Sequence, residues 1–143
     1  MIEFRNEPFT DFSKKENQEA FQQALKKVKA QFGKEYEIII GGRSIKTDRK
    51  VKSINPSNLD EVIGIVNEAD EQIAEEAMQT AVAIFEKWKR VPPAARARIL
   101  FKAAAILRRR KHEFSAWMVY EAGKSWPEAD ADTAEAIDFM EFY

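Results

Sequence analysis

The chain has 143 residues, 45% apolar and 33% charged, and its 23 Lys and Arg against 24 Asp and Glu leave a net charge of −1. That length supports one domain with a real core, and the neutral balance gives no long-range field to recruit nucleic acid or an anionic membrane. With no cysteine and a single histidine, His112, these residues exclude disulfides, zinc sites built from thiolates or several imidazoles, and a cysteine nucleophile.

The opening MIEFRNEPF is charged with both signs and lacks the apolar segment of a signal peptide. No run approaches the ~20 apolar residues that span a bilayer, so a cytoplasmic protein is expected. Ser13-Lys14-Lys15-Glu16 fits the S-x-x-E capping pattern and opens a predicted helix over 13–32, closed by Gly33. Phe21, Leu25, Val28 and Phe32 recur at three- and four-residue steps, a narrow stripe that requires a partner surface.

A small antiparallel meander of short strands is expected over about 36–67. YEIII and RSIKT flank a Gly41-Gly42 hairpin turn. KVKSIN alternates and stops at the turn initiator Asn55-Pro56, and EVIGIVNEA supplies a further strand. Helices then fill about 70–143. Asp70 is the expected N-cap of the first, with Ile73, Ala77, Ala81, Ile84 and Trp88 on one face, and Val91-Pro92-Pro93 breaks it. A second is predicted to run unbroken from Ala94 to Ala122, ended by Gly123. Ser125 and Glu128 form a capping box for a third that reaches Tyr143. The reading is an α+β fold: an N-terminal helix, a β-meander and three long helices, without repeats or linkers. The last helix keeps its aromatic residues to the final position and has no capping glycine, so a chain continuing past Tyr143 is expected.

Few residues carry obvious chemistry. Gly123-Lys124-Ser125 lacks the first glycine and the preceding strand of a phosphate loop, and Gly41-Gly42 lacks the third glycine of a dinucleotide fingerprint. Arg108 to Lys111 is the one dense basic run; it reads as a solvated helix surface with His112 beside it, and Arg110 falls towards the apolar side where it can meet a carboxylate. From Glu128 onward stand Asp130, Asp132, Glu135, Asp138 and Glu141 with no basic residue. Helical spacing sets Glu128, Asp132 and Glu135 on one face, by default a solvated one. Glu135 differs in having Ala131, Ala134, Ile137 and Phe139 around it.

The stretch RARILFKAAAILRRRKHEFSAWMVYEAGKSWPEADADTAEAIDFMEFY, with FRNEPFTDF and INPSNLDEVIG before it, resembles the N-terminal part of the aldehyde dehydrogenase superfamily. Within it, EAGK and AEAIDFMEFY are most similar to the Δ1-pyrroline-5-carboxylate dehydrogenase branch. That resemblance implies an enzyme oxidising L-glutamate γ-semialdehyde to glutamate in proline degradation. A cysteine thiolate attacks the aldehyde, hydride passes to NAD, and a thioester is hydrolysed. The cysteine and the main NAD-binding elements would lie beyond Tyr143, in the remainder of the same enzyme chain, and the intact enzyme would be a homo-oligomer. The resemblance further implies that Glu135 lines the substrate entrance, facing the α-ammonium group. It also implies a Na⁺ or K⁺ ion held by the carbonyls of Ser53 and Ile54 with the acid at Glu121, where the family more often has the shorter Asp. A different class of reading is a stand-alone helical interaction module, docking through the first helix stripe and the aromatics Trp117, Phe139 and Tyr143.

Overall fold

The computed structural model describes residues 4–143. Helix α1 spans Lys15–Lys29 and is followed by five short strands: β1 Lys34–Tyr36, β2 Ile38–Ile40, β3 Arg43–Ile45, β4 Lys50–Ile54 and β5 Val62–Asn67. Helices α2 Glu71–Trp88, α3 Pro93–Arg109, α4 Lys111–Ala122 and α5 Trp126–Phe142 complete the chain. The α+β class stands, with two differences in its parts.

The strands form two sheets instead of one meander. β2 and β3 pair as a hairpin across Gly41 and Gly42, both at positive φ, the conformation a tight two-residue hairpin turn demands. The other sheet has the order β1-β5-β4, with β1 parallel to β5 and β4 antiparallel to it. YEIII is thus split between two sheets, and Gly64 admits the Tyr36 ring, which a Cβ there would meet at 3.1 Å.

The predicted 94–122 helix breaks at Arg110, whose φ of −111° and ψ of 19° lie in the bridge region. No Gly or Pro marks the break; its cause is tertiary. Lys111 begins α4 and turns inward, donating from Nζ to Asp130 Oδ2 and to the Pro8 carbonyl, both at 2.9 Å. The basic run is therefore not simply a solvated surface. Arg108 pairs with Glu7 and Glu141, and Arg110 with Glu113 while lying over the Phe114 ring. His112 is half-buried with its edge to Phe21, which corrects its reading as a surface residue.

The caps follow local chemistry where side chains are free to reach. Asp70 Oδ1 accepts from Ile73 N at 2.8 Å, and Glu128 accepts from the Ser125 amide and hydroxyl at 3.1 and 2.7 Å. Ser13 departs from its expected role. Its amide and hydroxyl donate to Asp11 instead, α1 begins after Lys14, and the helix ends at Lys29, ahead of Gly33.

The α1 stripe buries Phe21 and Val28 completely and packs on α4. Ala104, Leu107 and Ile137 form the core between α3 and α5. Residues 4–13 cross the helices as a strap: Asp138 accepts from Glu7 N and Asn6 Nδ2, and Asp130 accepts from Thr10 N and Oγ1 at 2.7 and 2.6 Å. Asp130 has no exposed surface. Burial pushes its carboxyl up, but the Thr10 hydrogen bonds and Lys111 outweigh that and hold it below the usual range.

Removing one partner of this buried pair strands the other charge. Lys111→Met is expected to lower unfolding free energy by about 3–5 kcal/mol in urea titrations, and Lys111→Met combined with Asp130→Leu by less than Lys111→Met alone. Acid should act in two stages. Burial depresses the His112 pKa, with Asp130 opposing and Lys111 adding to the shift. The stability this group contributes is complete above its unfolded value near 6.5 and declines as pH falls below it. Glu113 is pulled down to about 2, first by its hydrogen bond from Arg110. Its contribution, like that of Asp130, is present above the unfolded carboxylate value of about 4 and is lost as pH falls through the depressed one. Substituting His112→Phe should erase the first stage of a pH-resolved stability curve and spare the second.

Candidate functional site

Two places hold the residues singled out for function. The first is the corner where β4 meets the end of α4. Gly123 takes φ of 67° and closes α4, and a Cβ on it would lie 3.2 Å from Pro56 Cγ. A glycine is needed here twice over, for the backbone angle and for the contact. Asn55 locks the facing turn: its Oδ1 accepts from Ser57 N and its Nδ2 donates to Glu61.

This contact sets Glu121 against β4, where its Oε1 accepts from Ser53 Oγ at 2.7 Å. The β4–β5 register slips between Ser53 and Ile54. Such an irregularity breaks regular pairing and re-aims the groups beside it. Ser53 and Glu121 are thus brought together at this corner, with Ile54 the next residue along β4. A cleft of about 480 Å³ opens beside it, lined among others by Tyr36, Gly64, Arg110, Glu113 and Trp117.

The second place is the outward side of α5. Five of its six carboxylates are engaged within the fold. Glu128 caps its own helix, Asp130 holds Lys111 and Thr10, Asp132 pairs with Lys124, Asp138 holds the strap, and Glu141 pairs with Arg108. The expected solvated face of Glu128, Asp132 and Glu135 is accordingly reduced to one unoccupied acid. Glu135 is exposed and has no hydrogen bond or ion pair among the described residues. It is the one carboxylate of α5 that no donor among the described residues engages.

Two features escaped the sequence reading. The Lys111–Asp130 pair was hidden because both residues sit in charge runs that look solvated. Arg96 was also passed over: its Nε is shielded from water and has no hydrogen-bond partner. The Lys111–Asp130 pair carries no local signal, since it joins two different helices. No helix among the described residues is long and apolar enough to cross a membrane.

Known proteins share this architecture. The aldehyde dehydrogenase family model matches residues 43–143. The 1-pyrroline-5-carboxylate dehydrogenase of Geobacillus thermodenitrificans is 60% identical over 98% of this chain, and that of Bacillus subtilis 58% over 99%. A solved 1-pyrroline-5-carboxylate dehydrogenase from Thermus with bound NAD superposes with a TM-score of 0.96 at 45% identity, over the whole of this chain. The chain spans only 27–28% of the length of these relatives. On sequence and on structure, the chain belongs to the aldehyde dehydrogenase family.

Proposed function

We propose that these residues serve as the N-terminal part of an NAD-dependent 1-pyrroline-5-carboxylate dehydrogenase, a cytoplasmic homo-oligomer that oxidises L-glutamate γ-semialdehyde to glutamate. The observation that carries the reading is the isolation of Glu135. Every other carboxylate of α5 is consumed by the fold, whereas this one stands exposed with its acceptor capacity intact. An ionised carboxylate accepts hydrogen bonds only, so it selects a cationic donor such as the α-ammonium group of an amino-acid aldehyde. Similarity to relatives named for this activity supports the same assignment.

In this reading the chain supplies recognition and scaffold. NAD⁺, when bound, would supply the hydride acceptor, and the thiol nucleophile would come from the part of the enzyme beyond these residues. Glu135 orients the substrate by its ammonium end, and α5 keeps Glu135 in place because Asp130, Asp138 and Glu141 tie that helix to the strap and to α3. We also propose a structural Na⁺ or K⁺ ion at the corner of Ser53, Ile54 and Glu121, held by the two carbonyls and the carboxylate. The 2.7 Å approach of Glu121 to Ser53 supports it, since the longer acid reaches the strand.

The 143-residue chain joined at Tyr143 to the remaining part of the Bacillus subtilis relative is expected to form NADH from pyrroline-5-carboxylate, whereas the 143 residues alone form none. Glu135→Ala in that chimera should lower kcat/KM by about ten- to a hundredfold, the scale of one charge-assisted hydrogen bond. With an aldehyde lacking the amino group the loss should vanish. An equal loss on both substrates would refute the ammonium contact. Melting of the chimera in NaCl or KCl should exceed that in choline chloride at equal ionic strength, and Glu121→Ala should abolish the difference.

A further inference from the structure

On the surface of a helix, a side chain's neighbours are those three and four positions away, with Cβ atoms about 5–6 Å apart. Glu135 therefore has four neighbours on α5: Ala131, Asp132, Asp138 and Phe139. Three of them have little to offer a cation. Ala131 has no polar or aromatic group, the Asp132 carboxylate is paired with Lys124, and that of Asp138 takes Glu7 N and Asn6 Nδ2. Phe139 is the exception. Its ring is 52% exposed on the same outward side, and among the described residues no cation lies over it.

Side chains of an α-helix lean towards its N-terminus, so the residue four positions on covers the turn that carries Glu135. Tyr143, four positions further again, braces Phe139 with ring centroids 6.0 Å apart at 51°. Phe142 is exposed on the same side but lies seven positions from Glu135, about 10 Å along the axis. It packs edge-on against Phe4, 5.4 Å between centroids, and is out of reach of a group bound at Glu135. One acid and one ring thus stand side by side on the outward face of this helix.

We propose that Phe139 is a second recognition residue for the α-ammonium group of the substrate, its ring face and the Glu135 carboxylate holding that cation between them. An ammonium carries three donors, so one N–H serves the carboxylate while another points at the ring. The ring adds a selectivity that the acid lacks. A carboxylate accepts from neutral hydroxyl and amide donors as well as from cations, whereas the quadrupole of a ring face attracts positive charge, more strongly as water is excluded. The pair therefore favours an amino-acid aldehyde over its hydroxy analogue. This inference rests on the ammonium contact of Glu135 proposed for the enzyme, and the two can fail separately.

The test replaces Phe139 in the chimera with phenylalanines carrying one, two and three ring fluorines. Fluorine drains negative charge from the ring face and hardly changes its shape, so packing is retained. For the amino-acid aldehyde, kcat/KM should fall stepwise, by about two- to thirtyfold across the series, and chiefly through KM. Turnover of an aldehyde lacking the amino group should stay constant. A flat series, or equal losses on both aldehydes, would overturn the ring contact, and an amine-selective loss in Glu135→Ala would then leave the function standing. A second measurement needs no turnover. With para-fluorophenylalanine in place of Phe139, the fluorine NMR resonance should move on addition of L-glutamate and not of glutarate, the same diacid without the ammonium. A shift with both, or with neither, would overturn the proposal. A shift with L-glutamate alone in a chimera that forms no NADH would support it and sink the function.

Discussion

The buried carboxylate of Asp130 is the constraint that the helical half of the molecule obeys. It accepts from the ammonium of Lys111 and twice from Thr10, and Lys111 in turn donates to the Pro8 carbonyl. One group thereby joins α5, the first residue of α4 and the N-terminal strap. A buried ion pair adds little net stability by itself, because desolvation offsets the attraction. Its effect here is geometric. With both charges out of water, each must find the other, and the positions of the three segments that carry the donors follow from that. The break at Arg110 is one consequence, since it lets Lys111 head α4 and point inward.

The same economy of donors and acceptors shapes the rest of α5. An acidic helix without a basic residue would repel itself if left solvated, yet five of its acids are neutralised by donors from the strap, α3, α4 and the capping turn. The fold uses acidity as its means of attachment. A carboxylate left out of that pattern stands apart by contrast, which is why Glu135 draws a functional reading that its neighbours do not. At the opposite corner, Gly123 against Pro56 does comparable work with van der Waals contact, holding the end of α4 close enough to β4 for Glu121 to reach Ser53.

Local rules made much of this legible. The Gly41-Gly42 hairpin, the Asp70 cap, the Ser125–Glu128 box, Pro93 at a helix start and Gly123 at a helix end all depend on residues within a few positions of one another. The α1 stripe was legible too, because periodicity identifies a face even when its partner is unknown. What stayed hidden was set across long separations. The parallel pairing of β1 with β5 has no signature in either strand. The Arg110 break has no Pro or Gly, and the inward turn of Lys111 and the half-burial of His112 depend on the strap, α1 and α5. For the sites, residue types alone did not single out Ser53 and Glu121. Family resemblance named them, and the register slip in β4 with the Gly123 turn gives the physical reason they meet. Glu135 could be marked as unusual from its apolar neighbours, but its isolation emerged only once the partners of the other five acids were known.

The strap also sets an order of events during synthesis. Glu7 bonds to Asp138 and Thr10 to Asp130, pairs separated by 131 and 120 positions. At roughly 5–20 residues per second, a ribosome needs on the order of ten seconds to make the acceptors after it has made the donors. Residues 4–13 therefore leave the exit tunnel well before their acceptors and cannot take their places until α5 has been made. Phe12, which packs on Phe21 and Trp126 in the fold, waits for Trp126 through most of that interval, open to any chaperone that recognises short apolar segments in nascent chains.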